Sequence, residues 1–211
     1  MVRGRLHEVF AKEPADNGSA AGFAAMLACL VSQGNAPLFW LREEAAERNG
    51  FLHAPGLAEI GIDPARMVLA VLPDPVALLC AAADVVRCAS VGAVVIELWR
   101  RPRALDLTAS RRLALAAETS GVTPLLLRVE AEPVPSAAQT RWSVAAAPSE
   151  ALACPTFKVE LLHQRGRPDG GCWHLEWNRD RACFDEATLS GAMVSSAPGG
   201  SLAQDRERRV G

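Results

Sequence analysis

Short apolar runs alternate with segments rich in Ala and Leu along the first 130 residues of the chain. The runs are five to eight residues long and almost uncharged, which is typical of strands in a sheet. Strands that alternate with helical segments favour a mostly parallel sheet covered by helices. The predicted strands are residues 6–10, 37–41, 67–72, 91–98 and 122–129.

The segments between these strands carry the signals of helix ends. Asp74 and Pro75 stand where an N-cap and a first helical residue belong. Gly121 follows the clearest helical segment, at the position where glycine commonly ends a helix. The predicted helices are residues 19–32, 75–88 and 104–120.

The pattern changes beyond the proline-interrupted loop at residues 130–139. Three later segments alternate apolar and polar residues, as half-buried antiparallel strands do. They are residues 140–147, 156–164 and 172–177. The chain then becomes rich in Ser, Gly and Ala and finally charged, so residues 179–211 are predicted to be a largely disordered tail after one domain at residues 1–178.

The charge composition gives no global basic field. The formal net charge is −2, so any nucleic-acid binding must come from a local patch. The chain has 20 Arg against two Lys, Lys12 and Lys158. A genome rich in G and C explains this bias, and no arginine chemistry is inferred from it.

The cysteine pattern and the apolar runs indicate the cellular compartment. Six cysteines form no CxxC pair and no signal peptide opens the chain, so a reducing, cytoplasmic location is expected. Charge or proline interrupts the apolar stretches well before the ~18 residues that a membrane span needs. Cys172 and His174 are the closest potential zinc ligands, but they are expected to be packing residues on one strand, and no metal site is predicted.

Three stretches resemble RecA-type proteins. Residues 4–10 (GRLHEVF) resemble the strand that leads into the phosphate loop, and residues 60–69 resemble the turn and start of the third strand. Residues 93–97 (AVVIE) resemble the second acidic motif. Within that superfamily, the stretches LHEVFA, LDLTASRRLALAAE and TRWSVAAAPS are most similar to ImuA-type proteins. The resemblance implies a RecA-like α/β core with a mostly parallel central sheet, flanking helices and C-terminal antiparallel strands.

The resemblance also implies partners. ImuA-type proteins are accessory factors of damage-induced (SOS) mutagenesis in bacteria. The expected partners are an ImuB-type polymerase-like protein, an error-prone replicative-type polymerase subunit and RecA itself. Relatives carry an N-terminal extension where only residues 1–3 precede the first strand here, so contacts that depend on such an extension are in question. SulA-type cell-division inhibitors are the nearest competitor, and they would bind a tubulin-like filament protein.

The stretch that matches the phosphate loop lacks the groups that hold a triphosphate. A working GxxxxGK[ST] loop needs a Lys for the β- and γ-phosphates and a hydroxyl for Mg²⁺. After Ala20 and Ala21, Gly22 falls at the second glycine, Phe23 at the lysine and Ala24 at the hydroxyl residue. We therefore predict a vestigial loop with no cofactor and no enzymatic activity. A weak ATPase with an unorthodox loop is the alternative.

Two other sets of charged residues are candidates for function. By the resemblance, Glu97 occupies the second acidic position and Glu43 or Glu44 the position of the water-activating carboxylate, and all three are interpreted as remnants. A basic patch for DNA or an acidic partner is the second candidate, with a solvated loop and helix face as the simpler interpretation. It consists of Arg100, Arg101, Arg103, Arg111 and Arg112.

Overall fold

One nine-stranded sheet organises the chain. The structure is a computed structural model, and it describes residues 1–32, 34–149, 154–166 and 170–187. The strands lie in the order β3-β2-β4-β5-β1-β6-β7-β8-β9 across the sheet. They are β1 His7–Ala11, β2 Leu38–Glu43, β3 Met67–Leu72, β4 Ala93–Trp99, β5 Thr123–Val129, β6 Thr140–Ala146, β7 Thr156–Gln164, β8 Cys172–Asn178 and β9 Cys183–Glu186.

Strands β1 to β6 pair in parallel, and β7 to β9 continue the sheet with antiparallel pairing. The predicted fold class, α/β with a mostly parallel centre and antiparallel C-terminal strands, is confirmed. Strand β6 differs from the expectation for its segment, because it is antiparallel to β7 but parallel to β1. The long connection at residues 130–139 runs from the carboxyl end of β5 back to the opposite end of the sheet, where β6 begins. A parallel crossover requires such a connection.

Helices α1 Asn17–Val31, α2 Ala54–Glu59, α3 Pro75–Arg87 and α4 Leu107–Ser120 connect the parallel strands. The predicted helix ends are confirmed by their contacts. The Asp74 carboxylate accepts hydrogen bonds from the amides of Val76 and Ala77. Gly121 has a φ of 81°, the left-handed conformation that ends a helix without steric cost in glycine.

The two faces of the sheet are covered differently. On one face, the antiparallel strands curl over α1, so that Phe157, Trp177 and Phe184 pack on Phe23 and its neighbours in one core. On the other face, α3 and α4 lie side by side over β2, β4 and β5 and form a second core. The first helix is therefore enclosed, while α3 and α4 keep an outer surface.

Strand β9 falls inside the segment predicted to be a tail. It pairs with β8, with Cys183 opposite Asn178 and Glu186 opposite Leu175, and so residues 183–186 extend the sheet. Residues 188–211 of the predicted tail lie outside the described residues. No helix in the described ranges is both long and apolar enough to cross a bilayer.

Candidate functional site

The candidate site lies at the edge of the sheet where the parallel strands end. Ligands of open α/β sheets bind in the crevice outside the carboxyl ends of the strands. An open cleft of about 460 Å³ occupies this position. The start of α1 (Asn17, Gly18), the ends of β2 and β4 (Arg42, Glu97) and the exposed Phe51 contribute to its walls.

Helix α1 begins close to the end of β1. A short 3-10 turn at Pro14–Asp16 leads into the helix at Asn17. Gly22, Phe23 and Ala24 consequently lie in the second turn of the helix, away from its N-terminus. Phe23 is 3% exposed, with ring centroids 5.5 Å from Phe157 and 5.0 Å from Phe184. The aromatic ring therefore belongs to the core between α1 and the antiparallel strands.

The helix N-terminus is formed by Asn17, Gly18 and Ser19 instead. This is the place where a phosphate loop presents its amides to an anion. If Gly18 is matched to the second glycine of the phosphate loop, Ser19 takes the lysine position and Ala20 the hydroxyl position. The predicted lack of a phosphate-binding lysine does not depend on which match is taken.

An acidic side chain lies at the N-terminus of this helix. Asp16 is the N-cap residue, and its carboxylate accepts hydrogen bonds from the amides of Ala146 (2.8 Å) and Glu13 (3.2 Å). A carboxylate at a helix N-terminus is stabilised by the helix dipole. The position that would attract a phosphate is thus already next to a negative charge.

The predicted acidic remnant Glu97 is buried and fully engaged. We call Trp40, Arg42, Glu97 and Trp99 the Glu97 cluster. One carboxylate oxygen of Glu97 accepts from Arg42 (3.1 Å) and from the indole of Trp99 (2.8 Å), and the other accepts from the indole of Trp40 (2.8 Å). A metal ion would have to compete with the Arg42 charge for this carboxylate.

Arg42 also ties the cluster to the neighbouring loop. It is 4% exposed, and its guanidinium donates to the carbonyl oxygens of Ala46 and Gly50, both at 3.0 Å. The arginine thus neutralises Glu97 and orders the chain after β2 at the same time. Arg42, Trp40 and Trp99 were not predicted as functional residues from the sequence. The signal that could have identified Arg42 is an arginine in an otherwise apolar strand, which pairs with a strand that carries a single carboxylate.

Glu43 and Glu44 lie in different surroundings although they are adjacent in the chain. Glu43 ends β2, and burial raises the pKa of its carboxyl, as do the nearby charges of Glu97 and Asp74. It lines a second cleft of about 340 Å³ together with Arg48, Arg100 and Glu130. Glu44 starts a 3-10 turn and is exposed.

Two strained residues lie beside this second cleft. Arg100 and Glu130 follow the ends of β4 and β5 with φ values of 57° and 49°, and their side chains form an ion pair at 3.3 Å. A left-handed conformation in a residue other than glycine costs about 1–3 kcal/mol and tends to cluster at functional sites. The strained backbone therefore favours a functional site at the carboxyl ends of β4 and β5.

The five predicted arginines lie on the segment after β4 and on α4. All are exposed, but Arg100 is paired with Glu130 at the cleft, whereas Arg111 and Arg112 lie on the outer side of α4. Arg112 also lines a groove between α3 and α4. Within the described ranges, no group of three His, Cys, Asp or Glu side chains could hold a metal ion.

Comparison with known proteins identifies similar sequences. No family model matches the chain. Protein ImuA from each of two strains of Caulobacter vibrioides is 34% identical over an alignment of 145 residues, which covers 61% of this chain and 57% of the relative. The predicted resemblance to ImuA-type proteins is confirmed. The match spans little more than half the length of these relatives.

Proposed function

We propose that this protein is a non-catalytic accessory scaffold in SOS-induced mutagenic translesion DNA synthesis. It would act in the cytoplasm by binding an ImuB-type partner, an error-prone replicative-type polymerase subunit and RecA. The similarity to ImuA supports the assignment to damage-induced mutagenesis. The observation that carries the non-catalytic part is the Glu97 cluster.

The physical argument concerns charge at the strand ends. ATP hydrolysis on a RecA-type core needs cations around the phosphates and a carboxylate that can serve Mg²⁺. Here Arg42 and two indoles hold Glu97, and the carboxylate of Asp16 lies at the N-terminus of the helix that would face the phosphates. Each charge-assisted bond that a nucleotide would have to replace contributes roughly 1.5–3 kcal/mol. Glu97 would therefore stabilise the fold rather than serve a nucleotide.

Co-purification tests the partner assignment. The tagged full chain is expressed in its own host, and bound proteins are identified before and after DNA damage. We expect the ImuB-type protein and the polymerase subunit to be recovered after damage. Recovery of a tubulin-like division protein without either of them would favour the SulA-type alternative and contradict the proposal.

Calorimetry and a turnover assay test the non-catalytic part. We expect no heat of binding and no phosphate release at millimolar ATP with Mg²⁺. Hydrolysis that depends on Mg²⁺ and disappears in Glu97→Gln would show that Glu97 serves a nucleotide, and it would overturn the proposal.

A further inference from the structure

Helices α3 and α4 leave a groove between them on the outer surface of the protein. Its volume is about 460 Å³. One wall comes from α3 (Val76, Leu79, Cys80, Ala83) and the other from α4 (Ala109, Arg112). The small side chains of the two alanines keep the groove open.

The groove is apolar and uncovered within the described chain. Val76, one of the lining residues, is 60% exposed. Leu79 and Ala83 are half-buried in the lining. On the opposite face of the sheet, residues of β7 to β9 pack on α1. An uncovered apolar helix surface is therefore found only on the face of α3 and α4 within the described residues. Contiguous exposed apolar surface with a polar rim is typical of protein docking sites.

Basic residues border the groove. Asp84 is the acidic residue of the lining, and its carboxylate is paired with Arg87 at 3.0 Å. Arg87 and Arg112 both line the groove and are exposed, and Arg112 forms no ion pair with a residue in the described ranges. The rim therefore carries uncompensated positive charge beside an apolar floor.

We propose that this groove binds an amphipathic helix with an apolar stripe and acidic flanks, contributed by the ImuB-type partner. The inference rests on the proposed function and adds the surface and the chemistry of the contact. An amphipathic helix laid in a groove places apolar side chains at i, i+3, i+4 and i+7. Helix α3 has 13 residues, or about 20 Å at 1.5 Å per residue, so the groove accommodates three to four turns. DNA would use the arginines but would gain nothing from the apolar floor.

Two variants of the full chain test the groove. Arg87→Glu combined with Arg112→Glu reverses the charge of the rim, and Ala83→Trp fills the floor. We expect each to weaken binding of the purified ImuB-type protein by about tenfold or more, a loss typical of a well-placed interface contact. Lys158→Glu, a charge reversal at an exposed residue of β7, is the matched control and should bind like the unaltered chain. Circular dichroism and the denaturation midpoint check that all three variants fold.

Alkylation of cysteines supplies a direct map of the contact. Cys80 lies in the groove, while Cys172, which is also exposed, lies on β8. We expect the partner to slow alkylation of Cys80 by about tenfold and to leave Cys172 unchanged. Equal rates at Cys80 with and without bound partner would contradict the docking site.

The outcomes separate this inference from the proposed function. If the unaltered chain forms no complex with the ImuB-type protein, both fail. If the complex forms and both groove variants retain it, the groove alone is rejected. If the variants lose binding to a single-stranded oligonucleotide but still bind the partner, the arginines form a DNA contact and the proposal is overturned.

Discussion

Two buried carboxylates, Glu97 and Glu8, lie in the same sheet but are stabilised in different ways. Both oxygens of Glu97 accept hydrogen bonds from the Glu97 cluster. Glu8 lies near two arginines, with the Arg141 Nε 3.1 Å from one carboxylate oxygen and the Arg128 guanidinium 3.9 Å from the other. Among the described residues, neither arginine donates a hydrogen bond of good geometry to the carboxylate of Glu8. We call Glu8, Arg128 and Arg141 the Glu8 cluster.

The difference shows that a buried carboxylate can either stabilise or destabilise a fold. A buried ion pair stabilises only when hydrogen bonds compensate the loss of water. The Glu97 cluster meets that condition at the strand ends, where a related fold would hold a ligand. In the Glu8 cluster burial dominates, and it raises the pKa of Glu8 although the Arg141 and Arg128 charges act in the opposite direction.

The largest expected effect comes from removing the cation of the Glu97 cluster. Arg42→Met leaves Glu97 buried without a countercharge, so the free energy of unfolding should fall by about 3–5 kcal/mol. Urea denaturation at neutral pH measures it. The double variant Arg42→Met with Glu97→Leu is the control and should regain most of the loss. A change below about 1 kcal/mol in the single variant would mean that the pair does not stabilise the fold.

Acid pH should destabilise the fold through His7, the residue before Glu8 in β1. His7 is 0% exposed, its Nε2 lies 2.8 Å from the Val2 carbonyl oxygen, and burial lowers its pKa to about 4. The folded pKa lies below the unfolded value, so this stability is present above about pH 6.5 and is lost as the pH falls towards 4. The advantage over His7→Gln should shrink by up to about 3 kcal/mol between neutral pH and pH 4.

Denaturation curves of the unaltered chain and His7→Gln at several pH values provide the measurement. Parallel dependence of the two proteins on pH would show that His7 is not held neutral by the fold.

Glu8 should shift stability in the opposite direction and by less, because the arginine charges offset part of the effect of burial. Its folded pKa is raised, so its contribution is fully present below the unfolded pKa and is lost as the pH rises through the folded pKa. The free energy of unfolding of the unaltered chain relative to Glu8→Gln should therefore increase on acidification. The same denaturation series measures it, and a relative stability that decreases on acidification would contradict the interpretation.

The smallest effect is expected at an exposed ion pair. Arg5 and Glu118 are paired with side chains 42% and 39% exposed. Arg5→Ala should cost less than about 1 kcal/mol, and added salt should reduce the cost further. A loss as large as that of Arg42→Met would remove the distinction between buried and exposed pairs on which the comparison depends.

The local sequence pattern was sufficient to predict most elements of the fold. Strands β1 to β5 and the helices α1, α3 and α4 lie within three residues of their predicted bounds. Their apolar spacing and end signals are local properties, so they can be read without knowing which elements are neighbours. The same holds for the lack of a lysine where a phosphate loop would need one. Strand β9 escaped because four residues, CFDE, are too short for a periodic signal.

Only the tertiary structure decided what the charged residues do. Arg42 and Glu97 are 55 residues apart in sequence, and the parallel pairing of β2 with β4 brings them together. Phe23 belongs to the core because strands β7 to β9 curl over α1, which no local pattern indicates. Helix and strand formation depends on neighbours along the chain, whereas pairing and burial of charge depend on distant segments that meet only after folding.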